Sequence, residues 1–261
     1  MQCDLRIGYM DDVTLGGHIS DVSTAIEIIN REGSSIGLKL NPTKCEVVGE
    51  VPMALPVSME DFIQLKKSQS QLLGAPLLQG EAMDSILEAR CDDLIRIMGR
   101  LALLGSHDAL VILRAAFGSP VILHVLRSSP CFGHPSLPHF DQILRNGLER
   151  IVNCEIGHLA WSQASLPIRY GGLGIRSVVV LAPSAFLASA AATFSLQMTI
   201  LAGSKVSEDS LVDECQRYWI ERFSAQPPTN DATRSQRAWD LAAIETAKSV
   251  LVAQLVERRP G

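Results

Sequence analysis

Apolar and polar positions alternate at the start of the chain: Leu5, Ile7 and Tyr9 are separated by Arg6 and Gly8, and Val13 and Leu15 follow beyond Met10-Asp11. A period of two on both sides of a two-residue break predicts a β-hairpin, ended by Gly16-Gly17. Ser20 is expected to cap a helix whose apolar face is Val22, Ala25, Ile26 and Ile29, with Gly33 as its stop. Leu38-Lys39-Leu40 and Glu46-Val47-Val48 are expected as short strands around the Asn41-Pro42-Thr43 turn, and Leu72-Leu73-Gly74 opens another. From about Gly80 the period becomes helical, with Met83, Ile86, Leu87, Leu94, Ile97, Met98, Leu101 and Leu104 on one long face closed by Gly105. A second apolar helix is expected from His107 to about Leu126, kinked or broken by Gly118 and Pro120. After a Pro/Gly/Ser-rich loop at 128–138, helices are expected near 139–156, 178–201 and 207–223, and a last one runs from Arg234 towards Val256 beyond the linker at 226–230. The pattern predicts an α+β piece followed by an all-α piece.

Composition narrows the class. With 47% hydrophobic and 20% charged residues, 261 residues can bury a real core, and aromatics at 5% leave the packing to aliphatic side chains and alanine. Twenty-three basic against 28 acidic residues give a net charge of −5, which excludes a basic nucleic-acid coat but allows a local basic track. Six cysteines lie far apart without a CxxC, which fits a reduced intracellular setting. Neither a basic lead-in nor an apolar signal segment precedes the first strand, so no secretory signal is expected. The stretch 177–204 carries no charge and is long enough to span a bilayer; Pro183, its many Ser and Thr, and the lack of terminal Trp or Tyr favour a buried helical hairpin or a long core helix, and no membrane partner is expected.

Tyr9-Met10-Asp11-Asp12 is the tetrad that points to chemistry. Two carboxylates held together at a hairpin turn repel each other unless a cation intervenes. Mg²⁺, which prefers oxygen ligands and accepts one or two carboxylates plus phosphate oxygens, suits them. Alone, the same tetrad is also compatible with an exposed turn. Its neighbours make it more specific. Residues 7–17, Ile-Gly-Tyr-Met-Asp-Asp-Val-Thr-Leu-Gly-Gly, resemble the catalytic hairpin of reverse transcriptases. Residues 37–46, Gly-Leu-Lys-Leu-Asn-Pro-Thr-Lys-Cys-Glu, resemble the next palm motif, and Leu72-Leu73-Gly74-Ala75-Pro76-Leu77 resembles the primer-grip hairpin. Residues 166–177, Leu-Pro-Ile-Arg-Tyr-Gly-Gly-Leu-Gly-Ile-Arg-Ser, are similar to a segment that follows the thumb in non-LTR (LINE-like) retrotransposon polymerases.

The resemblance implies an RNA-directed DNA polymerase that uses Mg²⁺, an RNA template, a DNA primer and deoxynucleoside triphosphates. It implies that Asp11 binds the metals directly with Asp12 assisting, and that Lys44 stabilises the departing pyrophosphate, although a solvated turn lysine would look the same. Tyr9 and Met10 would lie under the primer terminus, and Leu73 and Gly74 would set backbone against the primer strand. It also divides the chain into the C-terminal part of a palm (1–79), thumb-like helices (80–127), a helical region after the thumb (128–225), and a linker and tail (226–261). The family's palm carries a further aspartate on an earlier strand, together with fingers. Asp4 cannot supply that carboxylate, because five extended residues at roughly 3.3 Å each set it more than about 15 Å from Tyr9. The chain is therefore expected to be a polymerase fragment, inactive alone; the alternative is a non-catalytic helical protein that binds nucleic acid or a partner.

Three further features admit two readings each. Cys131, His134, His139, Cys154 and His158 are zinc-type ligands, but their spacing matches no standard knuckle. Arg90, Arg96 and Arg100 could track a duplex backbone, yet Glu88, Asp92 and Asp93 between them equally suit an ion-paired, solvated face. The tail at 252–261, Val-Ala-Gln-Leu-Val-Glu-Arg-Arg-Pro-Gly, is similar to a translated tRNA-gene segment and could equally be a short amphipathic helix.

Overall fold

The computed structural model describes residues 3–201 and 210–257. Among these described residues the fold is mixed and mainly helical, with three separate two-stranded sheets. It forms two compact units, residues 3–70 with 193–201, and residues 71–192 with 210–257.

In the first unit, β1 (Leu5–Tyr9) and β2 (Asp12–Gly16) pair antiparallel in the expected hairpin, with Tyr9 opposite Asp12 and Ile7 opposite Thr14. Helix α1 (Ile19–Ser35) follows, capped two residues earlier than expected: the His18 ring accepts from the Ser20 backbone N–H, and Ser20 itself lies in the first turn. The helix also runs past Gly33 to Ser35. Residues 38–40 form no strand; a 3-10 turn at Pro42–Lys44 leads into β3 (Glu46–Val48). Its partner is β4 (Ile63–Leu65), in parallel, an element the alternation rule passes over because three residues are too few to show a period. The buried core of this unit is small: Cys3, Ala25, Ile26 and Met59, with the Ser23 and Ser58 hydroxyls hydrogen-bonded at 2.7 Å.

The second unit carries the main core. Its first element is a hairpin of β5 (Gln71–Leu72) and β6 (Ala75–Pro76). Helix α2 (Glu81–Leu101) buries Met83, Leu87, Cys91, Leu94, Met98 and Leu101, a 3–4 spacing that makes one apolar stripe. It packs against α5 (Ser136–Val152), which buries Phe140, Leu144, Leu148 and Ile151. Each fully buried leucine here contributes about 1.5–3 kcal/mol. The expected second helix is broken as anticipated: α3 (Ser106–Ile112) runs into a π turn at Leu113–Phe117, then Gly118 and a 3-10 turn containing Pro120, before α4 (Leu123–Ser128). Helix α5 begins three residues earlier than expected, because Pro138 sits in its first turn, where no N–H is needed, and it ends at Asn153 in the left-handed region.

A short helix, α6 (His158–Ala164), then turns through residues 165–177 into α7 (Val178–Ile200), followed by α8 (Ser210–Phe223) and α9 (Gln236–Glu257). Trp219 of α8 and Trp239 of α9 meet edge-to-face at 5.1 Å, which joins these helices inside the core. The start of α7 is held by α5: Asp141 Oδ1 accepts from the Val178 N–H at 2.7 Å, and Oδ2 accepts from the Ser177 hydroxyl. Burial pushes the Asp141 carboxyl up to about 6, against the pull of these donors and of Arg222.

By length and composition Ser106–Ser128 and Val178–Ile200 could each cross a membrane. The first is interrupted by its π and 3-10 turns, and Val178–Ala188 of the second lies in the helical core, whereas residues 192–200 are exposed. Residues 207–209 of the expected α8 start and 258–261 of the tail lie outside the described residues, while the tail's first part continues α9 as helix to Glu257.

Candidate functional site

Tyr9, Met10, Asp11 and Asp12 come together at the tip of the first hairpin. The strands end at Tyr9 and Asp12, so Met10-Asp11 is a two-residue turn, and its first residue must leave the ordinary backbone regions. Met10 does so, with φ 55°, at a position where glycine or asparagine is the unstrained choice. All four side chains are exposed, Met10 at 88%. Tyr9 and Asp12 share one face of the ribbon with the half-buried Leu5, Ile7 and Thr14; the exposed Val13 stands on the opposite face with the half-buried Leu15. Among the described residues no third strand pairs with either edge of this ribbon.

The donor set at the tip is two adjacent carboxylates, and among the described residues no three His, Cys, Asp or Glu side chains converge on a common centre. The pair fits a Mg²⁺ ion that arrives with phosphate oxygens and water, the mode in which one or two carboxylates suffice, and it does not form an all-protein cage.

Lys44 closes the 3-10 turn of the same unit, on an element separate from the hairpin; its backbone N–H donates to the Asn41 carbonyl, and its exposed ammonium makes no ion pair among the described residues. Leu73 and Gly74 belong to the second unit, as the turn between β5 and β6. Both have positive φ, 50° and 76°, so the residue pair that resembles the primer grip is indeed the tip of a hairpin, with the Leu73 carbonyl bonded to the His124 ring at 3.1 Å.

Several of the remaining sequence candidates find ordinary partners. Arg90 and Arg96 both pair with Asp93 along α2, the solvated ion-paired face. The His134 ring bonds Asp84 at 2.8 Å, and burial pushes the Cys131 thiol up to about 12, keeping it protonated. The segment 166–177 wraps the end of α6: the N–H groups of Leu173 and Ile175 both donate to the Ala164 carbonyl, and Gly174 donates to Leu166. A Cβ at Gly172 would stand 2.0 Å from the Leu166 carbonyl oxygen and 2.6 Å from that of Gln163, so a side chain cannot be accommodated there. Gly172 is thus explained by chain packing, and Gly171 and Gly174 by their positive φ of 79° and 75°.

Sequence reasoning missed a second polar constellation, formed by Arg145, Arg176 and Arg222 around one cavity of the helical unit. These residues come from three separate parts of the chain, and no local pattern announces them. No family model matches the chain, and no curated protein or solved structure matches it.

Proposed function

We propose that these residues are the C-terminal palm-and-thumb part of a non-LTR retrotransposon reverse transcriptase, an RNA-directed DNA polymerase. The observation that supports this reading most strongly is the tetrad Tyr9-Met10-Asp11-Asp12 at the exposed tip of a two-residue β-hairpin, with Met10 in a conformation that costs roughly 1–2 kcal/mol for a non-glycine residue. Strain of that kind at a solvent-facing turn is of no use to stability and points to a functional constraint.

In this reading the Asp11 and Asp12 carboxylates hold Mg²⁺ together with the phosphates of an incoming deoxynucleoside triphosphate. When bound, the metal activates the attacking hydroxyl and neutralises the leaving pyrophosphate. Lys44 adds a mobile ammonium for the triphosphate charge, as a flexible point charge does well. Tyr9 and Met10 offer the primer terminus a flat apolar floor, and the Leu73-Gly74 turn offers backbone to the primer strand, with glycine allowing close approach. RNA template and DNA primer are the partners. In this reading Asp11 and Asp12 are two of the family's three carboxylates, and primer extension by these residues alone is expected to stay at background.

The test is paramagnetic. Mn²⁺ titrated into the ¹⁵N-labelled chain with a deoxynucleoside triphosphate should broaden the amides of residues 9–14 first, and Asp11→Ala should abolish this. Templated primer extension by the chain alone should stay at background with either metal. Broadening that begins elsewhere and ignores Asp11→Ala, or extension that survives it, would refute the assignment.

A further inference from the structure

The helical unit contains a cavity of about 590 Å³ bounded by α5, α6, α8, α9 and the start of α7. That size lies within the range of small-molecule sites. Three arginines line it, Arg145 from α5, Arg176 just before α7 and Arg222 from α8, together with His158 and Trp161 of α6. The one carboxylate in the wall, Asp141, already accepts from the Val178 N–H and the Ser177 hydroxyl.

Each guanidinium is steered by a neighbour. Arg145 Nε donates to the Ile156 carbonyl at 2.7 Å and stands 3.7 Å from Glu149. Arg176 Nη2 pairs with the buried Asp240 at 3.3 Å, and Arg222 Nη1 donates to the Tyr218 hydroxyl at 3.3 Å. Glu149, Asp240 and Tyr218 are not part of the cavity wall. Since a guanidinium has five N–H donors in a planar fork, each arginine keeps donors beyond those bonds. The two flanking carboxylates also temper the local charge, which makes a small anion a better match than a long polyanion. The rest of the wall is largely aliphatic, with Val179, Val180 and Ala247 facing the same space.

A pocket lined by three arginines, an indole and aliphatic side chains suits a ligand that is both anionic and flat. We propose that this cavity binds a nucleotide, the phosphate on the forks of Arg145, Arg176 and Arg222 and the base against Trp161. Phosphate recognition by arginine forks and stacking of bases on aromatic side chains supply the two halves of the interaction. The same chemistry is offered by a free nucleotide and by one nucleotide of a single strand. The site is separate from the tetrad hairpin and stands whether or not the polymerase reading does.

The experiment titrates the full chain with UMP, uridine, inorganic phosphate and a single-stranded oligouridylate, following the ¹⁵N amide spectrum. UMP should shift residues around Trp161 and Arg222 and bind more tightly than phosphate or uridine. Arg222→Gln, a change at an exposed position, should weaken UMP and phosphate by roughly tenfold, the scale of one charge-assisted hydrogen bond. Trp161→Leu should weaken UMP and leave phosphate unchanged, and Asp11→Ala should change neither. An oligouridylate that outcompetes UMP with the same dependence on Arg222 and Trp161 identifies the strand as the source; equal or weaker binding identifies the free nucleotide. Absence of UMP binding at millimolar concentration, or affinity for UMP indifferent to Arg222→Gln, overturns the proposal.

Discussion

Replacing Asp141 by asparagine should flatten the pH dependence of stability in a defined direction. The carboxyl is buried between α5 and the start of α7, and burial raises it to about 6 in the folded chain, against about 4 when unfolded. The folded state therefore holds the proton more tightly than the unfolded state. Stability from this group is fully present below pH 4, is lost as pH rises through 6, and is absent above about 7. A gap of about two units corresponds to about 3 kcal/mol, of which about half falls between pH 5 and pH 8. Asparagine preserves the geometry: its carbonyl oxygen can accept from the Val178 N–H, and its amide can donate to the Ser177 hydroxyl, which at present donates to Asp141. It cannot titrate. Urea unfolding of both proteins from pH 5 to pH 8 checks the point, because taking the difference between them cancels every other titrating group, Asp240 included. The wild type should gain about 1–2 kcal/mol on Asp141→Asn as pH falls across that range. A difference that stays constant, or moves the other way, would show that Asp141 is not the buried, proton-binding cap described above.

The two strained hairpin turns should respond to better turn residues: Met10→Gly and Leu73→Asn should each stabilise by about 0.5–1 kcal/mol, read as slower amide exchange in their own hairpin. Gly172→Ala should cost about 3 kcal/mol or more in denaturant melts, because its Cβ would overlap two backbone carbonyl oxygens. Within α7, amides of Val178–Ala188 should exchange at the rate of the α2 core, and those of residues 192–200 much faster, since the first stretch is buried and the second is exposed. Uniform protection along the helix would contradict this division.

The sequence by itself determined the elements whose information is local. The 5–15 hairpin is written in a period-two pattern on either side of two residues, and the α2 stripe in a repeat of three and four, so both were legible before any coordinates. Gly118 and Pro120 break the second apolar helix by removing a side chain and an N–H, which depends only on residue identity. The tip position of Asp11 and Asp12 follows from the same local pattern. Tertiary structure decided the rest. The β3–β4 pair joins three-residue strands 14 residues apart in sequence, and it exists only because parallel pairing gives their backbone groups partners. Helix α6 is too short to declare a face and is held by the returning segment that donates twice to the Ala164 carbonyl. The capping of α7 by Asp141, 37 residues upstream, and the meeting of Arg145, Arg176 and Arg222 on one cavity depend on how α5 to α9 stack. Burial sets the character of those groups: the same carboxyl that would be an ordinary acid on a surface becomes, under the α7 N-terminus, one that holds its proton to about pH 6.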